Sequence, residues 1–105
     1  MSASDLLGLN VSRLEALRER LPALGLKRAE LFLFRRDELP AVRQALAEQG
    51  VRFSAHVPVP RPEQYPFPPT WTFLNYADAE RRELYFRIVK ETVETAAELG
   101  AEYVV

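Results

Sequence analysis

Short apolar runs alternate with longer amphipathic stretches along the chain, and single glycines separate many of them. The run at 29–34 has strand length, and its near-continuous apolar character suits a strand that is covered on both faces. Residues 51–57 predict the next strand. A weaker run at 6–9 predicts a first strand, and the residues 103–105 predict the beginning of a fourth. The repeated order of helix, glycine and strand predicts βα units and a parallel sheet. The glycines in question are Gly25, Gly50 and Gly100.

Three amphipathic stretches predict helices between these strands. Ser12 and Glu15 have the spacing of a capping box before a leucine stripe, and Pro22 should kink or end that helix near Leu21. Asp37 is the expected cap of the second helix, and Asp78 that of the third, which should run from 79 to 99. Right-handed crossovers would place the helices on one side of the sheet. The predicted buried positions are Leu39, Val42 and Leu46 in the second helix and Tyr85, Ile88, Val89, Ala96 and Leu99 in the third.

Composition narrows the class of protein. The net charge is -1, from 14 basic and 15 acidic residues, which argues against a generic basic surface for nucleic acids. There is no cysteine, so no disulfide framework and no thiolate metal site is expected. No apolar run approaches the roughly 20 residues of a membrane span, and no secretory signal pattern stands at the N-terminus. We therefore expect a soluble cytoplasmic protein.

The length of the chain bears on its domain organisation. The 105 residues allow one small domain or a piece of a larger one. The residues 103–105 predict only half a strand, whereas a closed eight-stranded barrel needs about 250 residues. An open sheet would expose an apolar edge, which favours aggregation. We therefore expect residues 1–105 to form a single partial domain of a longer protein.

The single histidine, His56, is the leading candidate for chemistry. Alternation along the third strand directs Ser54 and His56 to the face opposite Phe53, with His56 near the carboxyl end, where parallel α/β proteins bind ligands. It could bind a metal ion, act as a general acid or base, or donate a hydrogen bond to a substrate oxygen. A structural histidine bonded to a backbone carbonyl is the alternative. One histidine cannot complete a metal site, so the other ligands are expected beyond Val105.

Other polar and aromatic residues have both a functional and a structural interpretation. Glu30 lies early in the second strand, which favours a structural salt bridge over a role as ligand. Arg35 follows the same strand and could bind a phosphate or carboxylate, although a solvated turn is the simpler interpretation. Trp71 and Phe73 could line a substrate site or pack the loop onto the sheet. Asn75 could hydrogen-bond a ligand or cap a turn.

Several segments together resemble the opening part of a xylose isomerase-like TIM barrel. This superfamily includes sugar phosphate isomerases and epimerases and the endonuclease IV group. The resemblance implies an α/β fold in which this chain covers about the first three βα units and the start of the fourth strand. It rests on the segments Gly25 to Leu31, Gly50 to Pro58, Phe73 to Asn75, Glu80-Arg81 and Ala97 to Val105.

The same resemblance implies a function. His56 matches the histidine at the end of the third strand, which in metal-dependent members binds a divalent ion (Zn, Mn or Mg) or lies beside it. The parent protein would then isomerise or epimerise a sugar or sugar phosphate, with Arg35, Trp71, Phe73 and Asn75 as candidate substrate contacts. The isolated chain is expected to be inactive, to bind no metal tightly and to self-associate through open sheet edges.

Two other functions remain as alternatives. The first is metal-dependent cleavage of phosphodiesters at abasic sites, as in the endonuclease IV group. The order of Leu74-Asn75 is reversed relative to that group, and the isoelectric point of about 5.9 argues against a nucleic-acid partner. The second is a non-enzymatic small α/β module that binds a partner through its open sheet edge.

Overall fold

A parallel sheet with interleaved helices is the framework of the molecule. The computed structural model describes residues 8–63, 65 and 79–105. Its strands β1 (Leu9–Val11), β2 (Arg28–Leu31) and β3 (Arg52–Ala55) are parallel and lie side by side in chain order. The predicted α/β class and parallel sheet are therefore confirmed, and the described strands form an open sheet.

A fourth segment continues the sheet beside β3. Val104 forms a single parallel bridge with Ala55. The N–H of Ala55 donates to the carbonyl of Tyr103 at 3.0 Å, and the N–H of Val105 donates to the carbonyl of Ala55 at 2.8 Å. The prediction of a strand-like segment at 103–105 is thus confirmed as a short parallel pairing.

In the part of the chain that the structure describes, three helices follow β1, β2 and β3 in turn. The first, α1, has a π-helical part over Ala16–Arg20 and continues as α-helix over Leu21–Ala23. A 3-10 turn at Arg36–Glu38 leads into α2 (Leu39–Gln49), and α3 (Ala79–Leu99) has the predicted bounds. In the described ranges, no helix has the length and apolar character needed to cross a membrane.

The start and course of α1 differ from the prediction. The helical residues begin at Leu14, and within the described part of the chain no side-chain hydrogen bond links Ser12 or Glu15 to this helix start, so the predicted Ser12–Glu15 capping box does not form. The helix does not end at Leu21, because it continues to Ala23, but its geometry changes from π-helical to α-helical at Leu21, directly before Pro22. The N–H of Leu21 reaches back to the carbonyl of Ala16 in the wider π geometry. This wider turn comes directly before the proline ring, which would clash with the carbonyl of a regular α-helical turn.

The start of α2 also differs. Asp37 lies inside the 3-10 turn and does not cap α2. Glu38 instead closes the turn, because its Oε1 accepts a hydrogen bond from the backbone N–H of Arg35 at 3.0 Å. Pro40 stands in the first turn of α2, where its missing N–H leaves no helical hydrogen bond unmade. The predicted cap of α3, Asp78, lies outside the described residues.

The strand bounds are shorter than predicted, or shifted. β1 occupies Leu9–Val11, whereas the predicted strand was 6–9. Residues 6 and 7 of the predicted strand lie outside the described residues. β2 ends at Leu31 because Leu33 has φ of 62°, a left-handed conformation that turns the chain away from the extended path. β3 covers only Arg52–Ala55 of the predicted 51–57.

The main core lies on one face of the sheet. Every second residue of the strands is buried there, together with the apolar faces of α1 and α2. Both helices therefore pack on the same side of the sheet, as right-handed crossovers require. Leu99 of α3 packs against the same cluster. The buried members are Val11, Leu17, Leu21, Ala29, Leu31, Phe34, Val42, Ala45, Leu46, Val51 and Phe53.

Each helix ends in the same backbone motif. At the end of α2, Gly50 has φ of 60°, its N–H donates to the carbonyl of Ala47, and the N–H of Val51 donates to the carbonyl of Leu46 at 3.2 Å. This pair of bonds is the Schellman motif, which requires a left-handed residue after the helix. Gly25 and Gly100 have φ of 68° and 89° and make the equivalent pairs of bonds. The predicted glycine stops are confirmed.

Candidate functional site

The sheet face opposite the helices carries polar side chains. Asn10, Glu30 and Ser54 occupy one register row across β1, β2 and β3. Asn10 Nδ2 donates to Glu30 Oε2 at 3.2 Å. Within the described part of the chain Glu30 has no ion pair, so the predicted salt bridge is replaced by this amide contact. The structure thus gives Glu30 a neutral partner in place of the expected cation, and its structural role stays a prediction.

An ion cluster joins the amino ends of the strands on this face. The carboxylate of Glu102 lies between the guanidinium groups of Arg28 and Arg52, with Arg28 Nη2 at 3.1 Å. The hydrogen bond from Arg52 is the main cause that holds the pKa of Glu102 below its usual value of 4.5. The positive charges of Arg52 and Arg28 act in the same direction. This cluster connects β2 and β3 to the 103–105 segment, because Glu102 directly precedes that segment.

His56 stands at the opposite, carboxyl end of the sheet. It comes directly after β3, and its backbone N–H donates to the carbonyl of Leu31 at 2.8 Å, which extends the parallel ladder by one residue. The alternation of the strand therefore continues to His56 and places it on the polar face with Ser54. Its side chain is half-buried. The predicted face and end of the sheet are confirmed for His56, although it follows β3 directly instead of lying within it.

One ring nitrogen of His56 has a backbone partner. Nδ1 lies 2.7 Å from the carbonyl oxygen of Val57. A carbonyl only accepts hydrogen bonds, so Nδ1 carries the proton in this contact, and in the neutral ring Nε2 is then the basic nitrogen. This is the backbone contact expected of a structural histidine, and it is also the contact that orients a histidine ligand through its second nitrogen.

One aromatic ring contacts this histidine, and a second ring and a guanidinium continue the cluster outward from the first. The ring of Phe32 meets His56 edge-on with centroids 5.1 Å apart, and Tyr65 meets Phe32 at 6.5 Å. The guanidinium carbon of Arg61 lies 5.8 Å from the centre of the Tyr65 ring. Sequence reasoning did not single out Phe32 or Arg61. The signal was available for Phe32, because it follows Glu30 by two residues and so belongs to the same face of β2.

The loops after β2 and β3 are tied to one another at this end. The N–H of Leu33 donates to the carbonyl of Pro58 at 3.1 Å, and the N–H of Arg61 donates to the carbonyl of Phe34 at 2.8 Å. These bonds explain how Leu33 is held in its left-handed conformation. They also hold the loop that follows His56 against the loop after β2. Backbone held in place in this way favours a preorganised site.

The loop after β3 is also anchored to α3. The buried hydroxyl of Thr92 accepts a hydrogen bond from the N–H of Val59 at 3.1 Å and donates to the carbonyl of Ile88 at 2.9 Å. Both Thr92 and Val59 are almost fully buried. The loop that follows His56 is therefore hydrogen-bonded both to the loop after β2 and to α3.

A groove of about 480 Å³ lies beside this loop, between residues 60–63 and the first half of α3. Its charged rim contains an ion pair between Arg36 and Glu91. Arg61 lines the groove as well as contacting Tyr65. His56 is not among the lining residues, so the groove is separate from the surroundings of the histidine ring.

Arg35 has partners in its own turn. Its Nε lies 3.1 Å from Asp37 Oδ1 and 3.5 Å from Glu38 Oε1, and the side chain is largely exposed. This local pairing matches the solvated turn that was the simpler interpretation of the sequence. The role of Arg35 as a phosphate or carboxylate contact stays a prediction.

The remaining candidates cannot be placed. Trp71, Phe73 and Asn75, predicted as substrate contacts, lie outside the described residues. Among the residues that the structure describes, no group of three histidine, cysteine, aspartate or glutamate side chains could hold a metal ion. His56 supplies one suitable donor atom, and the described part of the chain does not complete a metal site around it.

Comparison with known proteins gives no further guide to this site. Neither protein-family models, nor curated proteins, nor solved structures show a match to the chain.

Proposed function

We propose that this chain forms the first part of a xylose isomerase-like (β/α) barrel enzyme that isomerises or epimerises a sugar or sugar phosphate. The observation that carries the proposal is the place of His56. It lies at the carboxyl end of β3, on the sheet face opposite α1 and α2, and its Nδ1 contacts the carbonyl of Val57. Its Nε2 is then the atom that can bind a ligand or accept a proton.

The arrangement of the sheet supports the barrel. The strands follow one another in chain order, α1 and α2 pack on one face, and polar residues occupy the other face. A (β/α) barrel has this division, with helices outside, strand side chains inside and ligand sites at the carboxyl ends of the strands. An open sheet with one face exposed would more often be antiparallel.

A divalent ion fits this proposal only in part. His56 Nε2 is a suitable ligand for Zn²⁺ or Mn²⁺, and its backbone contact through Nδ1 has the form that orients metal-binding histidines. Further ligands would have to come from residues outside the described ranges. No step of the reaction is therefore derived through a metal.

The described residues would contribute binding and orientation. His56 Nε2 would meet a hydroxyl or carbonyl oxygen of the sugar, while the ring edge of Phe32 limits the position of the imidazole. Tyr65 extends this apolar wall beyond Phe32. Flat apolar surfaces next to a few directed polar groups are typical of small-molecule sites.

The test is the substitution His56→Ala in the natural polypeptide that contains this chain. Bound Zn, Mn and Mg are measured, together with turnover on a panel of aldose and ketose sugars and their phosphates. We expect metal affinity or turnover to fall by about 10-fold or more, as for loss of an oriented ligand. Arg43→Ala, an exposed change on α2, is the control and should leave both unchanged. Unchanged metal content and turnover in His56→Ala would remove the histidine from the mechanism.

The mass of the natural polypeptide tests the barrel itself. A polypeptide about 150 residues longer with further βα pattern agrees with the proposal. A mature product of only 105 residues would contradict the barrel and favour the small α/β binding module.

A further inference from the structure

The groove beside the loop after β3 combines an apolar base with a charged rim. Pro60 and Ile88 are buried and form its base, and the half-buried Pro62 and Leu84 add to the apolar surface. Its volume of about 480 Å³ lies in the range of pockets that hold small organic molecules. Because His56 is not among the lining residues, the groove is a second candidate site, separate from the one around the histidine.

Arginines from three parts of the fold line this groove. Arg36 belongs to the 3-10 turn before α2, Arg61 to the loop after β3, and Arg87 to α3. Arg36 pairs with Glu91, so its charge is compensated. Within the described ranges, Arg61 and Arg87 have no ion-pair partner, and Glu63 is the other carboxylate of the lining. Three arginines against two glutamates leave the lining with an excess of positive charge.

The backbone that carries Arg61 is held in place from two sides. Its own N–H donates to the carbonyl of Phe34 at 2.8 Å, and two residues earlier the N–H of Val59 donates to the buried hydroxyl of Thr92 at 3.1 Å. The guanidinium carbon lies 5.8 Å from the centre of the Tyr65 ring. A guanidinium has five N–H donors, so this ring contact leaves donors for an anion. Arg61 is therefore positioned before a ligand arrives, which favours binding.

We propose that this groove binds a phosphate monoester of a small organic molecule. The phosphate is held by Arg61 and Arg87, and the organic part packs on the apolar base at Pro60 and Ile88. Guanidinium groups bind phosphate through pairs of parallel N–H···O bonds. A phosphate monoester carries about two negative charges at neutral pH, which matches two arginines without ion-pair partners, whereas a carboxylate carries one charge. The site does not rest on the proposed function, because neither His56 nor Phe32 lines the groove.

The test measures binding of phenyl phosphate to the natural polypeptide by titration calorimetry in a phosphate-free buffer. Its ring suits the apolar base, and its phosphate suits the two arginines. Arg61→Gln and Arg87→Gln should each weaken binding by about fivefold or more, because each removes charged donors to the phosphate. Arg18→Gln, the same change at an exposed position of α1 that does not line the groove, is the matched control. It should change the affinity by less than about twofold at physiological salt, where distant surface charges are screened.

A change of opposite sign guards against loss of folding as the explanation. Glu63→Gln removes an exposed carboxylate from the lining, so phenyl phosphate should bind this variant at least about twofold more tightly than the parent protein. A gain in affinity cannot come from an unfolded variant.

Several results would overturn the proposal. One is the absence of saturable binding of phenyl phosphate, and another is an equal affinity of the parent protein, Arg61→Gln and Arg87→Gln. Equal affinity for phenylacetate, which has one carboxylate in place of the phosphate, would overturn the assignment of the ligand class. All of these measurements report binding and not turnover. The groove can therefore be confirmed when the enzymatic proposal fails, and it can fail when that proposal holds.

Discussion

At the scale of single residues, Thr92 shows how one hydroxyl connects two elements. It is fully buried on α3, and its Oγ1 is the partner of the backbone N–H of Val59. Helical periodicity is enough to place Thr92 near the apolar face of α3, but it does not identify the partner of the hydroxyl. That partner belongs to a loop 33 residues earlier, which periodicity along one helix does not predict.

Thr92→Val is expected to destabilise the protein by about 1–3 kcal/mol, because it keeps the shape of the side chain but leaves the buried N–H of Val59 without an acceptor. The free energy of unfolding is measured by urea denaturation. Val93→Thr, which adds a hydroxyl at an exposed neighbouring position, should change it by less than about 0.5 kcal/mol. Equal stability of Thr92→Val and the parent protein would show that the hydrogen bond contributes nothing.

His56 and Phe32 show which part of the candidate site could be predicted from the sequence. The alternation of β3 was enough to assign His56 to a face and to an end of the sheet. The edge contact with Phe32 was not predicted, because it depends on the register between β2 and β3, and register follows from packing. The conformation of Leu33 was also not predicted, since a left-handed residue is expected to be a glycine or asparagine.

At the scale of elements, the ends of the helices were predicted better than their beginnings. A left-handed position after a helix strongly favours glycine, so Gly25, Gly50 and Gly100 could be recognised from the sequence. Helix starts accept several capping residues and geometries. Asp37 and Glu38 are adjacent acidic residues, and the sequence does not show which of them accepts the capping hydrogen bond. The backbone geometry of the 3-10 turn gives that bond to Glu38.

At Gly50, the free-energy cost of the left-handed conformation can be measured separately from steric clashes. A Cβ atom at this position would meet no heavy atom within 4 Å, so a substitution is strained only by its backbone angles. We expect Gly50→Ala to destabilise the protein by about 1 kcal/mol. Gly50→Asn should cost less, because asparagine tolerates this conformation better. Thermal unfolding of both variants would test the order, and an asparagine variant less stable than the alanine variant would contradict it.

At the scale of the whole molecule, one ion cluster connects distant parts of the chain. Glu102 bonds Arg28 across 74 residues and Arg52 across 50 residues. It thereby links two strands to the segment beside β3. The pairing was not predictable from charge spacing along the chain, because it requires three separate strand positions to meet at one end of the sheet.

The lowered pKa of Glu102 predicts a loss of stability in acid. A carboxyl group whose folded pKa is lowered stabilises the fold above its unfolded value, here 4.5, and this contribution is lost as the pH falls through the folded value. The difference in unfolding free energy between the parent protein and Glu102→Gln should therefore be present at neutral pH and shrink below pH 4.5. Urea denaturation across this range measures it. Glu19→Gln, an exposed change on α1, should show no such dependence, and a pH-independent difference for Glu102→Gln would contradict the ionic explanation.

The consecutive order of the strands also bears on how the molecule can assemble. Partners in the first two strand pairs are about 20 and 24 residues apart, whereas Ala55 and Val104 are about 49 apart. Since closure entropy grows by about 0.6 kcal/mol for each doubling of loop length, the last pairing is the most costly of the three to close. Each strand of the sheet can pair with the strand before it in the chain. The topology therefore permits the sheet to form from its amino-terminal strand onward during synthesis.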